Sequence, residues 1–493
     1  MFNTITPEQA GISSKTVNKF IRTLEKRGLA MHSVLLMKGN DIFGEFYWKP
    51  FHKDICHRMY SQTKSYVAIA IGLLEQENKI DINKRIAEYF PEKIETELNE
   101  SLKNLTVRDM LTMQTCGKVD SWFKHEETDR VKLYFMDRKA ETPSGMRWKY
   151  DSAGSQVLST LVEKLSGQTL FDYLNDRIFS KLGTFKTASI LKTKSNDSWG
   201  DSALLCTSRD MASFARFLMN HGKWNNEQIL NKEYIITAMS RLTDNDEVGF
   251  DGVLNRGYGY QIWRCDRNGF AFNGMGAQLT LCFPEKDLIF VCTSDNQGYV
   301  EAKSLILTAL YEMIVDNIQD VPLEENKAAY QECISLSESL NLCHLSGNVH
   351  SDCQHQIDRV TYKCDPNDMG IKQFQFKFTE DSTGELIYTN EQGEKHLRFG
   401  LGKNVFSKFP QLGYSNEHGG LATTDGFMYD CAVSAAWREQ NKLYLKVQII
   451  DKYLGNMFAR FAFKNDIATV TMVKAAEAFL EEYNGIMTAT KEL

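Results

Sequence analysis

The run Val67-Ala-Ile-Ala-Ile-Gly-Leu-Leu74 is apolar almost all the way round. A helix of that kind has no face to give to water, so it must lie inside a large domain that wraps it. A serine and a lysine stand at its front, in Ser61-Gln-Thr-Lys64. A helix beginning near Gln62 puts Ser61 and Lys64 on neighbouring sites of one face, because positions i and i+3 overlie each other. Lys64 is then placed to take the Ser61 proton, which a hydroxyl nucleophile requires. The plainer reading is a capping serine followed by an exposed lysine, and for this spacing alone it is the commoner one.

The chain has 493 residues, more than one ordinary core can organise, so two domains are expected. Residues 7–24 read as an entry turn and an amphipathic helix, and 32–38 with 41–47 as a hairpin about Gly39-Asn40. Thr106 to Asp109 has the pattern of a capping box. Residues 141–151 read as a loop, followed by a helix that Gly167 closes; Thr207 opens another that Gly222 closes. Three strands are expected over 257–263, 269–283 and 288–293, and a helix over 302–314. Beyond residue 345 the sequence turns strand-like, with period-two runs such as Gln373-Phe-Gln-Phe-Lys-Phe and Leu443-Tyr-Leu-Lys-Val-Gln-Ile. The expected organisation is a domain over 1–320, a linker over 321–345, and a smaller, mostly antiparallel β domain over 346–493 that ends in a short helix at 474–483. Trp437, Phe406, Phe409, Tyr414 and Phe427 are expected in its core.

A lone Ser–Lys pair needs a second proton carrier and two backbone N–H groups for a developing oxyanion. The loop around Tyr150-Asp-Ser152 offers a phenol and a short polar side chain, which share a face if that segment is extended. A phenol beside a lysine ammonium is a candidate base. Asn273-Gly274-Met275-Gly276-Ala277-Gln278 offers glycines that allow a backbone to approach a substrate closely. Taken singly, Tyr150 reads as a half-buried aromatic and the glycines as a tight turn.

Together, and in this order, the three stretches resemble the β-lactamase-related serine hydrolases, which include class C β-lactamases, D,D-peptidases, family VIII esterases and nylon-oligomer hydrolases. Ser61-Gln-Thr-Lys64 is similar to the family's Ser-x-x-Lys, Tyr150-Asp-Ser152 to its Tyr-x-Asn/Ser, and 273–278 to a glycine-rich form of its third motif. Further likenesses lie at 7–13, 111–117, 207–214, 257–263 and 283–288, so the resemblance covers residues of about 5 to 315. It implies an α+β fold: an antiparallel sheet flanked by helices, with an all-helical subregion. It also implies that Ser61 is acylated, that Lys64 accepts its proton, and that Tyr150 shuttles the proton to the leaving group and later activates water. Ser152 would bond Lys64 and the substrate, and the N–H of Ser61 with that of Met275 or Ala277 would hold the oxyanion. The third motif opens on Asn273 where β-lactamases and D,D-peptidases carry Lys or His. The expected substrate is therefore a small ester or amide. A β-lactamase or D-amino-acid peptidase activity, or a catalytically silent binding relative, are the alternatives. No cofactor is implied.

A net charge of -7 without a basic stripe argues against nucleic acid. No run is long and apolar enough to cross a bilayer, and the first residues lack a signal-peptide pattern, so a cytoplasmic location is expected. The odd count of 11 cysteines fits reduced thiols. Cys343, His344, His350, Cys353, His355 and Cys364 lie close in sequence, but their spacing matches no common zinc pattern, and no metal is expected. The loops 119–130 and 245–255 are expected to wall the pocket. The C-terminal domain is a candidate for covering the cleft or for self-association, so a homo-oligomer stays open.

Overall fold

A computed structural model of the chain describes residues 2–115, 117–119, 126–136, 138–246, 254–419 and 426–492. Much of the two expected pocket walls, at 120–125 and 247–253, lies outside the described residues. The chain forms two compact units. The first comprises Met1–Ser294, Glu301–Asn341 and Glu417–Gly419; the second comprises Asp295–Val300, Leu342–Asn416 and Gly420–Leu493.

The first unit is built on a seven-stranded sheet. Its order runs Asn3–Thr4, Asp41–Tyr47, Met31–Lys38, Leu288–Ser294, Gln278–Phe283, Phe270–Gly274, Trp263–Arg264. All neighbours are antiparallel except the first pair. Side chains alternate across a strand, and here both faces are covered. Leu288, Phe290 and Cys292 join one core with Val17, Phe20, Ile21 and Leu24 of the Ser14–Lys26 helix. Ile289 and Val291 join the other, with Phe214 and Phe217 of the Ser208–Met219 helix and the buried helix Thr63–Gln76. Thr106 and Thr207 both form complete capping boxes, with Asp109 and Asp210 as the reciprocal partners. The stretch expected as a linker holds the Lys327–Ser339 helix, which packs on Ser14–Lys26; Asn18 Nδ2 donates to the Ala329 carbonyl at 3.1 Å.

The strand expected over 257–263 is corrected. Only Trp263–Arg264 enters the sheet, because Gly257 and Gln261 take left-handed φ angles of 114° and 54° and turn the chain.

In the second unit nine strands form a closed ring. It runs from Gly393–Leu401 through Thr383–Asn390, Gln373–Phe378, Thr361–Cys364, Gly485–Lys491, Ile467–Ala475, Leu454–Lys464 and Lys442–Ile450 to Met428–Glu439. A short parallel pairing of Gly400 and Leu401 with Ser434 and Ala435 closes it, and Val405–Leu412 attaches outside the ring. The result is a mixed β-barrel, with no edge left inside the ring to pair wrongly. Trp437, Phe409 and Tyr414 are buried as expected, whereas Phe406 and Phe427 are half exposed. The expected helix at 474–483 is also corrected. The strand continues to Ala475, Ala476 and Glu477 have left-handed φ that a helix cannot hold, and one 3-10 turn follows at Ala478–Leu480.

Among the described residues, no helix is long and apolar enough to cross a membrane, no group of three or more metal-binding side chains converges, and the ten cysteines are free thiols.

Candidate active site

The turn that carries Ser61 is built before the helix starts. Tyr60 takes a left-handed φ of 48°, Tyr60–Gln62 form a 3-10 turn, and the α-helix begins at Thr63. Gln62 occupies the cap position and makes no side-chain capping bond, so Ser61 is not the capping serine of the plainer reading. Lys64 is not an exposed first-turn lysine either. It is 2% exposed, and its Nζ donates to Ser61 Oγ at 2.9 Å and to the Asp201 carbonyl at 2.6 Å. Burying an ammonium is costly, and a position like this persists only when the surrounding acceptors hold it.

Tyr150 meets the same amine: Lys64 Nζ lies 5.1 Å from the centre of its ring. Its own orientation comes from an aromatic wall. The Tyr150 ring stacks at 5.9 Å on Trp263, and Trp148 meets Trp263 and Tyr258 edge-on, each at 5.7 Å. Burial, and then the neighbouring Tyr150, push the Tyr258 hydroxyl well above the usual phenol range, so Tyr258 stays neutral. Asp151 caps the Ser152–Ser166 helix by accepting from the Gly154 N–H at 3.0 Å. Ser152 is thus the first helical residue, and Asp151, between it and Tyr150, is extended at φ -134° and ψ 91°. Among the described residues, the acceptors of Lys64 Nζ are Ser61 and Asp201, and Ser152 is not one of them.

The glycine stretch is the hairpin between Phe270–Gly274 and Gln278–Phe283, with Gly274 paired to Gln278 and Met275-Gly276-Ala277 as its tip. Gly276 and Ala277 both take left-handed φ, at 77° and 67°. The strand runs directly against the Ser61 turn. A Cβ on Gly274 would land inside the contact radius of the Met59 carbonyl oxygen, so only glycine allows this approach. The tip is tied from behind: Gln278 Nε2 donates to the Met275 carbonyl at 3.0 Å, and Ser294 Oγ donates to the carbonyls of Gly276 and Ala277 at 2.6 and 3.0 Å. Thr280 donates to Gln62 Oε1 at 2.9 Å, joining the sheet to the nucleophile turn. Asn273 is buried in the strand, and Met275 is exposed.

The three stretches therefore converge, together with residues that sequence reasoning missed. Asp201 comes from the loop Trp199-Gly-Asp-Ser, which has no periodicity to announce it. Gln261 accepts from Ser65 on its carbonyl at 2.6 Å and from Ser155 on Oε1 at 2.8 Å, linking the Ser61 and Ser152 helices. Arg58 lies between the rings of Tyr60 and Trp199, at 4.4 and 4.6 Å, with its Nε donating to the Ser202 carbonyl at 3.1 Å. Its spacing three residues before Ser61 was the only available signal.

A half-buried serine bonded to a buried lysine, beside a tyrosine ring and a glycine hairpin, thus sits on an antiparallel sheet between helical layers. The sequence pattern of the beta-lactamase family matches residues 17–309, more than half of the chain, and the chain belongs to that family. A 6-aminohexanoate-dimer hydrolase from Paenarthrobacter ureafaciens is 24% identical over 252 residues, which span 48% of this chain and 64% of that protein. The match thus falls just short of two thirds of that relative's length. Among solved structures, a candidate 6-aminohexanoate-dimer hydrolase from Bacillus anthracis has a TM-score of 0.52 at 18% identity, over 64% of this chain and 86% of that one. EstCE1, a hydrolase with promiscuous acyltransferase activity, has a TM-score of 0.51 at 13% identity, over 60% and 99%. These structures share the fold.

Proposed function

We propose that the protein hydrolyses a small ester or amide through an acyl-enzyme formed on Ser61. The observation that carries this reading is the buried Lys64 amine 2.9 Å from Ser61 Oγ. Ser61 Oγ attacks the substrate carbonyl carbon while Lys64, coupled to Tyr150, takes its proton. The negative charge that develops on the carbonyl oxygen is met by the Ser61 N–H and an N–H of the hairpin tip, from Met275 or Ala277. The bonds from Gln278 and Ser294 hold the tip carbonyls on the opposite side, which supports that assignment. Tyr150 returns the proton to the leaving alcohol or amine. It then takes one from water, whose oxygen attacks the acyl carbon, and that proton passes through Lys64 to Ser61 Oγ as the acyl–oxygen bond breaks. Ser152, at the start of its helix, is assigned the role of a substrate hydrogen-bonding group by the family resemblance alone.

Asn273 replaces the cation that would hold a carboxylate, which disfavours penicillins and cell-wall peptides as substrates. The amide hydrolysed by the Paenarthrobacter relative supports the small-amide reading. A fluorophosphonate probe tests the mechanism: mass added at Ser61 and lost in Ser61→Ala is the expected result, with turnover falling at least about a thousandfold in that variant. No labelling at any pH would leave a binding relative instead. A panel of p-nitrophenyl esters, short linear amides, D-aminoacyl amides and nitrocefin then sorts the substrate classes, with the first two expected to turn over fastest.

A further inference from the structure

The main-chain carbonyl of Asp201 accepts from Lys64, yet the acylation chemistry makes no use of its side chain. That side chain is fully enclosed, and Oδ1 has no hydrogen-bond partner among the described residues. A carboxylate in such a place needs a reason, because burial without full pairing is costly. The charged groups that face it are cations on three separate elements: Lys64 on the nucleophile helix, Arg58 on the short strand before it, and Arg130 on the Arg130–Met136 helix, with Trp199 bonding from its own loop. Burial is the largest influence and raises the carboxyl above its ordinary range, while Lys64, Arg58, Arg130 and Trp199 pull it back in that order. Arg130 shows the other side of the same contact. Burial lowers its guanidinium and Asp201 raises it.

We propose that Asp201 is a positioning residue for acylation: its carbonyl holds the Lys64 amine against Ser61, and its buried carboxylate sets the pH at which the site's base gives up its proton. The proposal rests on the acyl-enzyme reading of Ser61 and Lys64. The two halves of the residue act separately. The carbonyl belongs to the backbone and survives any substitution. The carboxyl, when ionised, places a negative charge near Lys64. A nearby negative charge favours the protonated form of every neighbouring group. Removing it is expected to move the acid limb of acylation to lower pH. Arg130 acts on the same carboxyl with a positive charge, and removing that charge is expected to act in the opposite direction.

The test uses the full chain and the rate of fluorophosphonate labelling at Ser61 across the acid and neutral range. Asp201→Asn keeps the shape and the carbonyl and removes only the charge. Its acid limb is expected to move about one pH unit lower than that of the wild type. Arg130→Gln is expected to move the limb higher. A purely structural role would lower the melting temperature and leave the limb where it was. An Asp201→Asn limb that coincides with the wild-type limb, or moves up, overturns the proposal. If that variant does not fold, Arg130→Gln decides alone, and a limb that stays or falls overturns it. A wild type that is never labelled is a different failure, because it removes the acyl-enzyme itself.

Discussion

The two units both rest on large antiparallel sheets, yet only one of those sheets lets chemistry be read from its polar residues. In the first unit the strands Phe270–Gly274, Gln278–Phe283 and Leu288–Ser294 are buried at every position. A polar side chain there must find a partner inside the protein. Thr280, Gln278 and Ser294 find theirs at the nucleophile turn and the hairpin tip. In the second unit Thr383–Asn390 alternates between buried and half-buried positions along its length. Its inward residues pack inside the barrel, as Tyr388 does edge-on against Tyr483 at 6.2 Å, and its outward ones are partly open to water. The outward polar residues of that barrel strand therefore answer to solvent, whereas those in the doubly covered sheet answer to the site.

This contrast can be broken by experiment. The largest effect should come from the barrel core. Phe376→Ala removes a fully buried ring and should cost about 3–5 kcal/mol in denaturant unfolding, while the labelling rate of Ser61 per folded molecule stays unchanged. A barrel mutation that slowed labelling as well would erase the distinction.

The second effect is on stability in acid. Burial pushes the His57 imidazole from 6.5 down to about 4, opposed by its bond to the Arg58 carbonyl, and His32 Nδ1 lies 2.8 Å from its other nitrogen. Between those two values the unfolded chain binds a proton that the folded protein refuses. Stability is therefore full above the ordinary histidine range and falls as the pH drops toward 4, by up to about 3 kcal/mol. Thermal melts of the wild type and His57→Gln over that interval should show the slope flattened in the variant.

Tyr150→Phe should slow turnover at least about a hundredfold, the range of a lost acid–base group, with the melting temperature little changed. Near-normal turnover would remove Tyr150 from the mechanism. The smallest effect belongs to Gly274→Ala. The added methyl forces the hairpin away from Met59, and a fall in kcat/KM of about tenfold is expected as the tip loses its place beside Ser61.

Much of the site was legible because it is local. Ser61 and Lys64 are one helical turn apart, Tyr150 stands immediately before a helix cap, and the hairpin glycines occupy six consecutive residues. The barrel strands were legible for the same reason, since period-two alternation is a property of neighbours in the chain. The mistakes fell where backbone conformation outvoted pattern. Gln261 turned a strand-like run into a bend, and Ala476 with Glu477 stopped a helix. Phe406 and Phe427 look like core aromatics by type, but exposure depends on what packs above them.

The sequence by itself determined that Ser61 and Lys64 stand at the front of a buried helix, and which motifs accompany them, because those statements depend on spacing of a few residues. Only the tertiary structure decided that Lys64 is bonded to Ser61, that Gly274 must be glycine, and that a carboxylate lies behind the amine. Lys64 and Asp201 are 137 residues apart in the chain. No local propensity ties such a pair together, and their contact exists only because the packed sheet and helices hold the helix of Lys64 and the loop of Asp201 to one place.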